Sequence, residues 1–188
     1  MSDAVSALNG QVAAGEVTVR DAGLQGMIIL RGDLSDKKLR GVCKAVTGTD
    51  MPKQGKVSVD GASGLCWMSS DELLVLVPYA EAQATVAKID EALAGTHYLA
   101  ENVSDARGLI IVEGEFGREV IAKLAPVDLH PDSFAIGDFR RSHLGQVAAA
   151  FWMVDEDTFQ VICFRSVAEY TFNLLAASAK AGRVGHLV

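Results

Sequence analysis

The sequence predicts an α+β protein: an internal duplication of a β-α-β-β-β-α unit whose antiparallel sheets are covered by helices. Three observations carry this expectation. Residues 65–78 read as strand, tight polar turn, strand, with Leu65–Met68 apolar, Ser69–Glu72 polar and Leu73–Val77 rich in leucine and valine. Residues 151–162 repeat Trp-Met, then Asp-Glu, then an apolar strand. The flanks repeat as well: Gly108-Leu-Ile-Ile-Val112 echoes Gly26-Met-Ile-Ile-Leu30, and Gly114 echoes Gly32, so matched landmarks lie 82 to 85 positions apart. The expected organisation is a loose N-terminal arm (1–16), a first half (17–95), a second half (96–182) and a C-terminal tail (183–188). No linker of distinct composition separates the halves, which predicts a shared core.

The elements follow in order. Val17–Ala22 is a short β-prone segment, and Met27–Leu30 a buried strand ended by Gly32. Leu39, Val42, Cys43 and Val46 recur at i, i+3, i+4, i+7, the spacing of one helical face, with Lys37, Arg40 and Lys44 opposite and Gly48 and Pro52 bracketing the end. Val57 and Val59 alternate in a weak strand leading to the Trp67 strand. Pro78 suits a first helical position, since its missing N–H is not needed there, and the pattern predicts a helix to Ala94 with Gly95 as its C′ residue. In the second half, Val103–Ala106 echoes Val19–Ala22, and a short helix spans Gly117–Leu124. Three strands follow at Phe139–Ser142, Gln146–Met153 and Thr158–Phe164. The last helix opens at Ser166, with Glu169 three residues on completing a capping box, and closes near Gly182.

Composition narrows the function classes. Charged residues are 22% and hydrophobic ones 49%, as in a globular protein. A net charge of −7 argues against a nucleic-acid scaffold. The longest apolar runs fall far short of the roughly 20 residues a membrane span requires. Met1–Gly10 has no apolar stretch resembling a signal peptide. Cys43, Cys66 and Cys163 share no short spacing and sit in apolar patterns, which reads as reduced, buried thiols in a cytoplasmic protein.

A search for chemistry finds no converging set. Asp128 and His130 have acid–imidazole spacing, but His143, His97 and His186 are scattered, and a metal centre needs three or four ligands at fixed geometry. Cys163 lies mid-strand among Val161, Ile162 and Phe164, a setting that makes a thiol inert. Gly114-Glu-Phe-Gly117 lacks the remaining glycines and the Lys-Ser/Thr of a phosphate loop. Asp71-Glu72 and Asp155-Glu156 sit at turns and read as solvated tips. No catalytic, cofactor-binding or metal residue is therefore assigned.

Several segments together resemble the sarcosine oxidase gamma subunit family of the bacterial heterotetrameric enzymes. They are Trp67-Met-Ser-Ser-Asp-Glu-Leu-Leu ending in Pro78, Val103-Ser-Asp-Ala-Arg107, Ala125-Pro-Val-Asp-Leu-His-Pro131, Leu144-Gly145 and Phe164-Arg-Ser-Val-Ala-Glu-Tyr170. Ser70, where the family often has proline, and His143, where it often has arginine, depart from the pattern. The resemblance covers about residues 20–180 and implies a fold similar to the folate-binding domain of the glycine-cleavage aminomethyltransferase. It further implies a subunit without catalytic residues, beside alpha, beta and delta subunits in a complex that converts sarcosine to glycine, a one-carbon unit and hydrogen peroxide. FAD, FMN and NAD would be held by the larger subunits, and none by this chain.

The terminal helix adds an expectation of contact. Val167, Tyr170, Leu174 and Ala177 form one apolar face, and Ala168, Phe172, Leu175 and Ala179 a second; a helix apolar nearly all round is covered on more than one side, here by the other half or by a partner chain. The second of these faces and the basic face Lys37, Arg40, Lys44 are the expected partner surfaces. A stand-alone folate-binding or one-carbon module is the alternative function, and an enzyme acting alone through Cys163 or His130 a third.

Overall fold

A computed structural model describes residues 3–185. In chain order its strands are β1 (Val12–Ala13), β2 (Thr18–Asp21), β3 (Gly26–Gly32), β4 (Val57–Asp60), β5 (Ser63–Ser69), β6 (Glu72–Val77), β7 (Tyr98–Asn102), β8 (Arg107–Glu113), β9 (Phe139–Leu144), β10 (Val147–Met153) and β11 (Thr158–Phe164). The helices are α1 (Lys37–Thr47), α2 (Ala82–Leu93), α3 (Gly117–Ala122) and α4 (Ala168–Lys180). Two compact units result, one spanning 25–104 and the other joining the chain up to Leu24 with the chain from Asp105 onward.

Each unit holds one antiparallel sheet. The contiguous unit has order β4-β5-β6-β3-β7, and the discontinuous unit β1-β2-β8-β11-β10-β9. Read from β9, the second sheet repeats the first, with β2 taking the place of β7. The units therefore differ from the halves expected along the sequence, 17–95 and 96–182. Strand β2 pairs with β8 (Thr18 opposite Glu113, Asp21 opposite Ile110) and not with β3. The free edge of β3 is closed by β7 (Ile28 opposite Asn102). The segment 104–106, matched in sequence to β2, is a 3₁₀ turn just after β7.

In the contiguous unit, α1 starts at Asp36, whose carboxylate accepts the N–H groups of Lys38 at 2.6 Å and Leu39 at 3.1 Å. It ends at Gly48, in the left-handed region at φ 75°. Leu39, Val42 and Cys43 turn inward, joined by Ala82, Val86, Ile89 and Leu93 of α2, over Ile28, Leu30, Leu65, Leu73, Val75 and Val77 of the sheet. Each fully buried aliphatic side chain of this kind contributes about 1.5–3 kcal/mol. A 3₁₀ turn over Tyr79–Glu81 separates Pro78 from α2, so the α-helix begins later than Pro78.

In the discontinuous unit, Ala168, Phe172 and Leu175 of α4 pack with Val120 and Ile121 of α3 against Val19, Ile110, Val112, Phe151 and Val161. Phe134 lies between Phe151 and Phe159, with ring centroids 5.9 and 6.0 Å away. The Arg118 guanidinium donates to the carbonyls of Leu129 (3.0 Å) and Phe134 (2.7 Å), pinning the loop 126–138. One face of each sheet thus carries a buried apolar cluster together with that unit's own helices, while the other face is also buried, at Met27, Leu74 and Leu76 in one sheet and at Ile111, Trp152 and Ile162 in the other.

Two further expectations are corrected. The capping box of Ser166 and Glu169 is not made: Arg165–Val167 forms a 3₁₀ turn, and α4 opens at Ala168 with no side-chain cap. The N-terminal arm is docked, not loose. Asp21 gathers it by accepting the Ser6 hydroxyl and the Gly10 N–H (2.9 Å), Leu8 is buried, and β1 pairs with β2.

Two glycine substitutions of opposite sign test this packing in urea unfolding. A Cβ at Gly64 would lie 2.6 Å from the Ser58 carbonyl oxygen and from the Val59 Cα, so Gly64→Ala should lower stability by about 1–3 kcal/mol. Gly41, in the interior of α1, faces open space, and Gly41→Ala should raise stability by about 0.5–1 kcal/mol.

Candidate functional site

The partner surfaces expected from sequence fare differently in three dimensions. Ala168, Phe172 and Leu175 are 1%, 6% and 0% exposed and belong to the chain's own core, with Ala179 packed against it. The sheet of the same unit covers Ala168, Phe172 and Leu175, which present no surface to a partner, while Ala179 is half-buried. The outward side of α4 carries Glu169, Tyr170, Asn173, Ala177 and Lys180. Lys37, Arg40 and Lys44 are exposed, as their helical spacing requires when Leu39, Val42 and Cys43 point inward.

The remaining candidate groups are engaged locally. Asp128 accepts the His130 backbone N–H at 2.9 Å. The Ser133 hydroxyl, then that N–H, hold the Asp128 carboxyl below its ordinary value. His130 Nδ1 accepts the Asp132 N–H at 3.3 Å, so the acid–imidazole pair shapes a turn. His97 and His143 are exposed, and His186 lies outside the described residues. Gly114 donates to the Asp157 carbonyl at 2.9 Å, and Asp155 accepts the Asp157 N–H at 3.0 Å. Among the described residues no three His, Cys, Asp or Glu side chains come together as metal ligands do, and no helix is long and apolar enough to cross a membrane.

All three thiols are buried. Burial pushes Cys43 up to about 12 and Cys66 higher still. It also raises Cys163, against the opposing influence of Thr171 and Arg107. A thiol held protonated is a poor nucleophile at neutral pH.

Two arrangements escaped the sequence reading. Glu72, expected at a solvated tip, is 5% exposed and accepts Arg31 Nε at 3.0 Å and a terminal guanidinium nitrogen at 2.6 Å through one carboxylate oxygen. Beside this pair an open cleft of about 390 Å³ is lined by Arg31, Asp33, Asp71, His97 and Tyr98. Its charges are already satisfied: Ser35 hydrogen-bonds Asp33, Ser69 hydrogen-bonds Asp71, and each lowers its partner's pKa. A second groove, of about 480 Å³, runs between residues 13–17 and the end of α4 and is lined largely by small apolar residues such as Ala13, Ala176 and Ala179.

The other missed feature is a clasp on the chain's last described residues. Glu119 of α3 accepts the N–H groups of Val184 and Gly185, while Lys123 Nζ donates to the carbonyls of Ser178 (2.6 Å) and Gly182 (2.9 Å). The Val184 hydrogen bond is the first cause of a lowered Glu119 pKa.

The sequence model described as "Sarcosine oxidase, gamma subunit family" matches residues 31–181. A sarcosine oxidase subunit gamma of Corynebacterium sp. (strain P-1) is 26% identical over 165 residues, covering 86% of this chain and 79% of the relative. Its counterpart in Corynebacterium sp. (strain U-96) is 25% identical over 174 residues, covering 90% and 83%. Among solved structures, a chain of the heterotetrameric sarcosine oxidase of Corynebacterium sp. U-96, solved with pyrrole 2-carboxylate, superposes with TM-score 0.81 at 23% identity, covering 93% of this chain and 91% of that one. The glycine cleavage system aminomethyltransferase T of Bartonella henselae superposes with TM-score 0.60 at 15% identity, covering 83% of this chain and 44% of that one. These last two likenesses establish the fold.

Two measurements follow. In the native state at pH 8, iodoacetamide should leave all three cysteines unmodified by mass spectrometry, and after denaturation it should modify all three. The clasp titrates with a definite sign. Because folding lowers the Glu119 pKa below 4.5, its contribution is complete above that pH and is lost as pH falls through the folded pKa. Amide-exchange protection of Val184 and Gly185 should therefore be constant above about pH 4.5 and decline progressively as pH is lowered beneath it, and in Glu119→Gln it should be weak at every pH.

From residue 31 to residue 181 the sequence carries the family's pattern, on a fold found in a chain of such an enzyme, and the protein belongs to the sarcosine oxidase gamma subunit family.

Proposed function

We propose that this chain is the noncatalytic gamma subunit of a heterotetrameric sarcosine oxidase, assembling with alpha, beta and delta subunits. In this reading the larger subunits hold FAD, FMN and NAD and carry out the oxidative demethylation of sarcosine to glycine, a one-carbon unit and hydrogen peroxide. The gamma chain serves as a folded body against which they assemble. The observation that carries the reading is the use to which reactive side chains are put. Each cysteine is buried, and Asp128, Glu72 and Glu119 are each occupied by a hydrogen-bond or ion-pair partner from within the chain. Family membership supplies the kind of complex.

The same reading includes descent of the two units from one duplicated module. The matching strand orders β4-β5-β6-β3-β7 and β9-β10-β11-β8-β2 support that origin, together with the Trp67-Met68 and Trp152-Met153 echo at equivalent strand ends.

A tagged copy purified from its own host should bring down larger chains with flavin absorbance and sarcosine-dependent peroxide production. The isolated chain should be colourless and inactive on sarcosine, and should give no heat with tetrahydrofolate in calorimetry. A solitary product from the native cell, or turnover by the isolated chain, would refute the proposal; saturable tetrahydrofolate binding would favour the folate-module alternative.

A further inference from the structure

Charge is distributed unevenly along this acidic chain. Residues 37–56 hold six of the 17 basic residues (Lys37, Lys38, Arg40, Lys44, Lys53, Lys56) against one acidic residue, Asp50. That stretch carries +5, and the rest of the chain carries −12. Lys37, Arg40 and Lys44 lie at i, i+3 and i+7 on the exposed side of α1, and Lys53 is exposed on the turn that leads to the edge strand β4.

Local energetics do not account for this arrangement. Like charges at i, i+3 and i, i+4 destabilise a helix by a few tenths of a kcal/mol per pair. Lys37 and Lys38 occupy the first turn of α1, where the helix dipole disfavours cations, and that turn has no acidic residue. Only part of the charge is answered within the unit. Lys44 pairs with Asp50 at 2.7 Å, and Arg40 acts on the same carboxylate. Lys38 Nζ reaches the Ala94 carbonyl at 3.2 Å. Among the described residues Lys37 and Lys53 have no acidic partner within ion-pair distance. A concentrated patch of one sign, on a protein of opposite net charge, is suited to steering and orienting a partner of complementary charge.

We propose that the α1 face of Lys37, Arg40 and Lys44, continued by Lys53, docks an acidic segment of a partner subunit. The inference rests on the subunit reading above and adds which surface is used and what chemistry meets it. The Asp50 ion pair holds Lys44 in place on this face, and Lys37, Arg40 and Lys53 offer the charge that the segment would neutralise.

The test uses the complex isolated through a tag on this chain from its own host. A carbodiimide, which joins an amine to a touching carboxylate, should link Lys37, Lys44 or Lys53 to an Asp or Glu of another subunit. The triple variant Lys37→Gln/Arg40→Gln/Lys44→Gln should keep the circular dichroism and Tm of the parent, since all three side chains are exposed. It should bind the remaining subunits about tenfold more weakly near physiological salt, with a shallower dependence of log affinity on log salt. If the wild-type complex is recovered but these lysines link only to carboxylates of this same chain sequence, the docking inference is overturned and the subunit reading stands. The same holds if the triple variant binds with undiminished affinity and an unchanged salt slope. If no flavin-bearing chain is recovered at all, both fall together.

Discussion

The structure depends on a pairing between strands far apart in the chain: β2 lies against β8, with Thr18 opposite Glu113. Because β2 is committed there, β3 must find another neighbour, and β7 supplies it after β4–β6 and both helices of that unit have been built. From this one choice follow the discontinuous unit and the pairing of β3 and β8 on both sides. The Asp21 carboxylate reinforces it, since the residue that ends β2 also ties down the N-terminal arm.

Once the sheets are set, polar chemistry is used for architecture. Carboxylates cap α1, brace the 128–133 turn, hold Val184 and Gly185 and neutralise Arg31, while Arg118 secures a loop through two carbonyls. Buried acceptors such as the Glu72 and Glu119 carboxylates are costly when unpartnered, so their contacts favour one arrangement of the backbone over its competitors. On α1 the outward cations are answered only in part.

Local pattern made much of this legible. The spacing of Leu39, Val42 and Cys43 located the inner face of α1, Gly48 and Gly95 marked helix ends, and the strand-turn-strand signature of residues 65–77 became β5 and β6. The features that escaped were those settled by distant residues. Strand β7 alternates only between half-buried and exposed positions, so it has no apolar run to announce it, and the repeat pointed instead to the neighbouring 103–106 segment. Glu72 looked like a turn carboxylate because its partner, Arg31, is 41 residues earlier. On α4, the face of Ala168, Phe172, Leu175 and Ala179 was the one expected to meet a partner, because two apolar faces along a helix do not say which one the chain's own sheet will take. The sheet beneath selected the one bearing Phe172 and Leu175, and the outward side kept Tyr170.

The interrupted path of the chain also bears on its synthesis. The contiguous unit has all its strands once Asn102 has left the ribosome, whereas β2, made earlier and paired on one side by β1, lacks its β8 neighbour until β8 emerges. During that interval the nascent protein carries a strand with an unpaired edge, the kind of edge that recruits other chains. Its shortness, four residues with Arg20 and Asp21 among them, limits what such an edge can capture while it waits.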